Sequence, residues 1–306
     1  MLTTYKYKKL VWTDLDSPTS DEIRAVMKKY PIHPLVAEEL LYLSLRPRVD
    51  VYKDIIYLIL HFPVYDKTKK GYANSEIDFI VGKNFLVTTH YREINVLHEL
   101  GRMFETNSMP GLEGVGGSSG LLFFHIVKQM YEHSVGELSQ IQAKILAIEE
   151  EIFDKNSSKH DLVRRISHVR TDILDFRRTI HPHHEILSSF KIPGENFFGR
   201  DYAIYISFIT GAFLELWHML ENNKETIESL QDTNDSLLSH RTNEIIKTLT
   251  IMAFSTFPLM LIIGLFSTRA MNIPIVGARG DFWIILAIVV VAAVSLYTLF
   301  KKKRWI

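Results

Sequence analysis

Thr248–Thr268 reads TLTIMAFSTFPLMLIIGLFST and Phe282–Phe300 reads FWIILAIVVVAAVSLYTLF, and neither stretch contains a charged side chain. The charge-free gaps extend from Lys247 to Arg269 and from Asp281 to Lys301. At about 1.5 Å per helical residue each gap covers roughly 30 Å, the thickness of a bilayer's hydrocarbon core. A soluble helix of that length exposes a charged face, so a pair of buried core helices is the weaker reading and two transmembrane helices the stronger. The apolar fraction of 47% in 306 residues is high for a purely soluble protein, and these two segments account for the excess.

The flanks give an orientation. Lys301, Lys302, Lys303 and Arg304 follow the second segment, and Arg241 and Lys247 precede the first. The positive-inside bias therefore predicts cytoplasmic N- and C-termini in the cell (inner) membrane, with a short external loop from Arg269 to Asp281. Trp283 and Trp305 stand where interfacial aromatics are expected. The first twelve residues mix Lys6, Lys8 and Lys9 with aromatics and lack the apolar core of a signal peptide.

Other chemistry is excluded by composition. With no cysteine there is no disulfide, thiolate metal site or cysteine nucleophile. A net charge of zero argues against nucleic acid. The Gly/Ser-rich stretch Pro110–Gly120 lacks the Lys-Ser/Thr of a P-loop, so it reads as a linker and no nucleotide site is predicted. No constellation of nucleophile, base and pocket suggests an enzyme.

The soluble part reads as a small α/β domain. Tyr52–Phe62 is a β-rich run, and Ile77–Val81 turns through Gly82-Lys83-Asn84 into Phe85–Thr89 as a hairpin. Short helices are predicted from near Ser20 and after His33-Pro34. Long helices follow over Leu121–Phe153, over Asp161–Phe190, and from near Gly199 without a break before Pro258, continuous with the first membrane helix. The polar faces of Glu221–Asn243 fit a stalk packed against copies of itself. The predicted domains are 1–117 (α/β), 118–198 (helical hairpin), 199–248 (stalk), 249–268 and 282–300 (membrane helices), 269–281 (loop) and 301–306 (basic tail).

In order, the chain carries His33-Pro34-Leu35 with Glu38-Glu39, Arg46-Pro47-Arg48, Phe85–His90, Ile148–Phe153, Thr242–Ile251, then Pro258, Gly264 and the basic Phe300–Ile306 end. Together these motifs resemble the CorA family of divalent-cation channels over nearly the whole chain. The resemblance implies a funnel-shaped homopentamer in the lipid bilayer, passing divalent metal ions without a covalent cofactor, with Mg2+ as substrate and regulatory ligand. Independently, two membrane helices cannot enclose a water-filled path, so transport requires oligomerisation.

It also implies a pore face of Asn243, Ile246, Leu249, Phe257, Met260 and Gly264. Asn243 would meet ion-bound water, and Ile246 and Leu249 would form apolar rings that gate by dewetting. Family members carry Gly-Met-Asn after the first membrane helix. Counting between Pro258 and Pro274 without gaps puts Ser267-Thr268-Arg269 there, whereas Ala270-Met271-Asn272 needs an insertion and a matching deletion. Arginine offers only donors, and five around a mouth would repel a divalent cation by on the order of several kcal/mol before screening. That departure, with bulky Phe257, motivates an alternative: a relative that passes another ion or serves as a sensor or scaffold. A third reading leaves Arg269 as an interfacial anchor.

Carboxylates at Asp232 and Asp235 on the stalk are candidates to hold hydrated cations, and Asp201 to join a regulatory site between subunits. His181, His183, His184 and Glu185 resemble a metal cluster, but Pro182 and the helical spacing favour a packing site at a helix bend.

Overall fold

The computed structural model describes residues 1–44, 46–106, 108–109, 118–154, 159–268, 275–277 and 280–303, with the side chains of 159 and 160 excepted. It divides into two compact units, Met1–Gln231 and Asp232–Ile306.

The first unit is built on six strands: β1 (Leu2–Tyr7), β2 (Leu10–Asp16), β3 (Arg48–Val51), β4 (Ile55–Asp66), β5 (Gly71–Gly82) and β6 (Phe85–His90). Their order is β1-β2-β6-β5-β4-β3, with β2 and β6 parallel and every other pair antiparallel. The predicted hairpin is β5–β6, and β4 and β5 form a second, longer one in which Ile55 pairs with Gly82 and Asp66 with Gly71.

Alternate strand residues face opposite sides of the sheet, and both sides are covered. On one side Leu15, Tyr57, Ile59, Ile80 and Val87 meet Ile23 and Val26 of α1 (Ser20–Lys29) and Val36 and Ala37 of α2 (Pro34–Glu39). Thr19 caps α1 through a reciprocal pair with Glu22, and Pro34 opens α2, which explains why both starts were readable. On the other side lie α3 (Asn95–Glu105), α4 (Ser119–Ile152), α5 (Lys159–Ile180) and α6 (His183–Phe198). Phe123 of α4 sits edge-on to Phe79 of β5 and to Phe190 of α6. Gly101 of α3 lies so close to β1 that a Cβ there would meet the Tyr5 ring at 2.3 Å.

Two predicted helix limits move. The single helix expected over Asp161–Phe190 is two, because α5 stops at Ile180 and Pro182 starts α6, a position that needs no backbone N–H. The break expected at Pro193-Gly194 does not occur: Pro193 lies inside α6, and Gly194 is buried against Phe190 and Ile206. The chain turns instead at Gly199, whose φ of 102° suits glycine. The linker stretch Pro110–Gly117 is outside the described residues, and Ser118 caps α4 through the Leu121 amide.

Helix α7 (Tyr202–Ser267) begins in the first unit, where Phe213, Leu216 and Leu220 are buried, and its assignment continues unbroken into the second. There it is followed by α8 (Asp281–Lys302). Both helices contain segments long and apolar enough to cross a membrane, with none of that apolar window buried within the chain. Asp281 starts α8 and Lys301 and Lys302 end it, which complements the helix dipole.

Candidate functional site

The residues nominated from sequence lie mainly on one helix. Asn243, Ile246, Leu249, Phe257, Met260, Gly264 and Ser267 are on α7, and Thr268 follows it directly. At about 100° per residue, Asn243 through Ser267 fall within an arc of about 120°. All are exposed in the single chain, with Phe257 at 72% and Met260 at 73%. Arg269 and Asn272, and with them the choice between Ser267-Thr268-Arg269 and Ala270-Met271-Asn272, lie outside the described residues.

The backbone of this segment satisfies its own polar side chains. Thr248, Thr250, Ser255 and Thr256 each donate to the carbonyl four residues earlier, at 2.9, 2.7, 2.7 and 2.9 Å. Such back-bonds remove hydroxyl donors from a setting without water. Pro258 has the opposite effect, because its missing N–H leaves the Phe254 carbonyl without its helical partner. Beside it Ala253, Phe254, Phe257, Pro258 and Leu261 line an apolar groove of about 520 Å3.

Asp232 and Asp235 are exposed on α7 and share the arc of Asn243, while Asp201 is exposed in the turn before the helix. Among the described residues no three His, Asp or Glu side chains converge as a metal site within the chain. His183 is committed elsewhere: its buried Nε2 donates to the His61 carbonyl at 2.8 Å and its Nδ1 accepts from Tyr131 Oη at 2.8 Å. Burial pushes its pKa down to about 3, so the ring is neutral and both nitrogens are occupied.

Two buried polar groupings in the sheet were not anticipated. Trp12 Nε1 donates to Thr88 Oγ1, Thr88 donates to Asp14, and His90 donates from Nε2 to Asp14 at 3.3 Å and from Nδ1 to the Arg92 carbonyl at 2.7 Å. Burial works against a charged His90, but the Asp14 carboxylate outweighs it and holds the imidazole pKa above its ordinary value. On the other face His61, Glu76 and Asp78 form the second grouping. The available signal was Glu76 and Asp78 at alternate positions at the start of the apolar run that ends at Val81, which puts both on one face.

Known proteins share this arrangement. The family described as CorA-like Mg2+ transporter protein matches residues 7–302. The cobalt/magnesium transport protein CorA of Thermotoga maritima is 24% identical over 295 residues, covering 94% of this chain and 80% of the relative. The putative metal ion transporter YfjQ of Bacillus subtilis is 24% identical over 294 residues, covering 96% and 89%. The complete structure of the CorA magnesium transporter from Methanocaldococcus jannaschii matches with a TM-score of 0.82 at 19% identity, over 99% of this chain and 94% of that one, a likeness of fold. With the soluble α/β unit, the long helix and the C-terminal apolar helix all in place, and a family match spanning nearly the full chain, the protein belongs to the CorA-like Mg2+ transporter family.

Proposed function

We propose that this chain forms a homopentameric membrane pore that passes divalent cations, Mg2+ first among them, down their electrochemical gradient. The observation that carries the reading is the exposed arc of α7 from Asn243 to Ser267, a surface that a single chain leaves unburied. Five copies facing inward would turn that arc into a conduit, with the Asn243 amide oxygen meeting hydrated ions at one end. Ile246 and Leu249 would form apolar rings beyond it, with the self-bonded hydroxyls of Thr250 and Thr256 offering water few donors. Asp232 and Asp235, on the same arc, would gather cations at the cytoplasmic approach, and Asp201 would join a Mg2+-sensing contact between subunits.

No energy source beyond the membrane potential is required, since an inside-negative potential favours entry of a divalent ion by about 4.6 kcal/mol per 100 mV. Family membership supports transport as the role, and names of relatives that specify cobalt, magnesium or an unspecified metal ion support a divalent cargo. Of the two residues that motivate the sensor or scaffold alternative, Arg269 lies outside the described residues and Phe257 is exposed on the proposed pore face of α7.

Uptake of Mg2+, Co2+ and Zn2+ into liposomes holding the purified protein, with and without an imposed potential, tests the proposal. Potential-driven Mg2+ uptake is the expected result, raised by Leu249→Ala at the ring. Absence of flux for all three cations, from protein shown to be pentameric, would overturn it. Arg269→Asn then locates the sequence departure: a rise in flux puts the arginine at the mouth, and an unchanged flux puts it against lipid.

A further inference from the structure

The turn after α2 is tied to the sheet by two carboxylates that face the same side of β5. Glu76 is 3% and Asp78 1% exposed. Glu76 Oε2 accepts the Ser44 amide at 2.7 Å and lies 3.3 Å from His61 Nε2. Asp78 Oδ2 lies 3.5 Å from Tyr91 Oη, which is 3.1 Å from the Tyr42 carbonyl.

Hydrogen-bond direction decides who holds the protons. A carbonyl only accepts, so the single Tyr91 hydroxyl proton goes to Tyr42, its nearer neighbour. Tyr91 then presents Asp78 with lone pairs alone, and a hydrogen bond between them needs a proton on Asp78. Glu76 Oε1 and Asp78 Oδ1 meet no donor among the described residues, and neither does Thr89 Oγ1, opposite Asp78 in the register. A neutral Asp78 lowers the cost of burying its carboxyl with Oδ1 unpartnered, because an uncharged oxygen loses less on leaving water than a carboxylate oxygen does.

The surrounding charges agree. From β4 the site meets Tyr57 and His61, and the His61 Nδ1 accepts from Asn74 Nδ2, which leaves Nε2–H to face Glu76. From β5 it meets Glu76, from beyond β6 Tyr91, and from α2 the acidic Glu39, whose partner Arg48 is shared with Asp50. No free cation balances two carboxylates there, among the described residues. Burial, and then the adjacent Glu76, push the Asp78 carboxyl well above the carboxylate range.

We propose that Asp78 is protonated at neutral pH and acts as a proton-operated latch on the Tyr42–Ser44 turn. When alkalinity removes the proton to solvent, the Asp78 carboxylate takes the Tyr91 hydroxyl proton as its hydrogen bond, and the Tyr42 carbonyl loses its donor. The turn, freed on that side and facing two like charges, loosens. Leu35, Glu38, Glu39, Tyr42 and Leu43 line an open groove of about 350 Å3 at this turn, so its shape follows the proton.

The test uses the full-length protein in nanodiscs. Infrared spectra at neutral pH should show the carbonyl stretch of a buried carboxylic acid that disappears on alkalinisation and is absent from Asp78→Asn. Hydrogen exchange of a peptide covering the turn, corrected for intrinsic pH dependence, should lose about tenfold protection in the wild type as the acid deprotonates, the scale of one hydrogen bond. Asp78→Asn, which donates permanently, should stay protected at both pH values, and Tyr91→Phe should be unprotected at both. A wild type with no buried acid band at neutral pH, or with turn protection independent of pH, would overturn the proposal whether or not the variants fold.

Discussion

Helices α4 and α8 are both long and rich in aliphatic residues, yet they keep their apolar surface in opposite places. From Leu121 to Ile152, α4 buries a recurring stripe against the sheet and α5, including Phe123, Met130, Leu138, Ile145 and Ile148. No residue of α8 is buried, and Trp283, Val291 and Val294 remain more than half exposed. The first pattern is a chain completing its own core, and the second is a surface that a different medium must cover. Water cannot be that medium for nineteen consecutive uncharged residues, whereas lipid and neighbouring copies can.

Substitutions can break this contrast, beginning with the largest. Phe123→Ala should lower the stability of the soluble unit by about 3–5 kcal/mol, read from denaturant unfolding. Phe254→Ala, 60% exposed on α7, should leave that transition within about 0.5 kcal/mol, and an equal loss would place the segment in a self-made core. Val290→Arg in α8 should add about 2.5–3.5 kcal/mol to membrane insertion, seen as protein lost from the membrane fraction. A soluble helix would accept that arginine with little change.

Smaller effects sharpen the picture of the sheet unit. Tyr131→Phe leaves His183 Nδ1 buried without a donor and should cost about 1–3 kcal/mol. His90 supplies a pH signature: its raised pKa gives stability that is complete below its unfolded value of about 6.5 and is lost as pH rises through the folded value. The slope should not exceed about 1.4 kcal/mol per pH unit, and thermal melts of His90→Gln across neutral to alkaline pH should lack it.

Local chemistry made part of the molecule legible. The capping box at Thr19–Glu22, the Pro34 helix start and the turn at Gly82–Asn84 each act within a few residues, so a linear reading finds them. The arc from Asn243 to Ser267 was legible only through the family resemblance, which nominated the residues that helical spacing then puts on one face. The partners of His183 were not legible, since Tyr131 and His61 lie far from it in sequence, although the spacing of His181–Glu185 had favoured packing over a metal. Pro193 also misled, because a proline's penalty within a helix is set by packing the sequence does not display, here Gly194 against Ile206.

The sequence by itself determined two membrane-length apolar helices and an α/β unit ahead of them, whereas the candidate pore residues of α7 were nominated through the family resemblance. The helices and the α/β unit follow from composition and period, which are properties of adjacent residues. Only the tertiary structure decided the parallel β2–β6 pairing, the second long hairpin and the meeting of Glu76 and Asp78 with Tyr91 and Ser44. Each of these depends on which distant strand becomes a neighbour, and burial then turns ordinary carboxylates and histidines into groups whose protonation is fixed by the partners they meet.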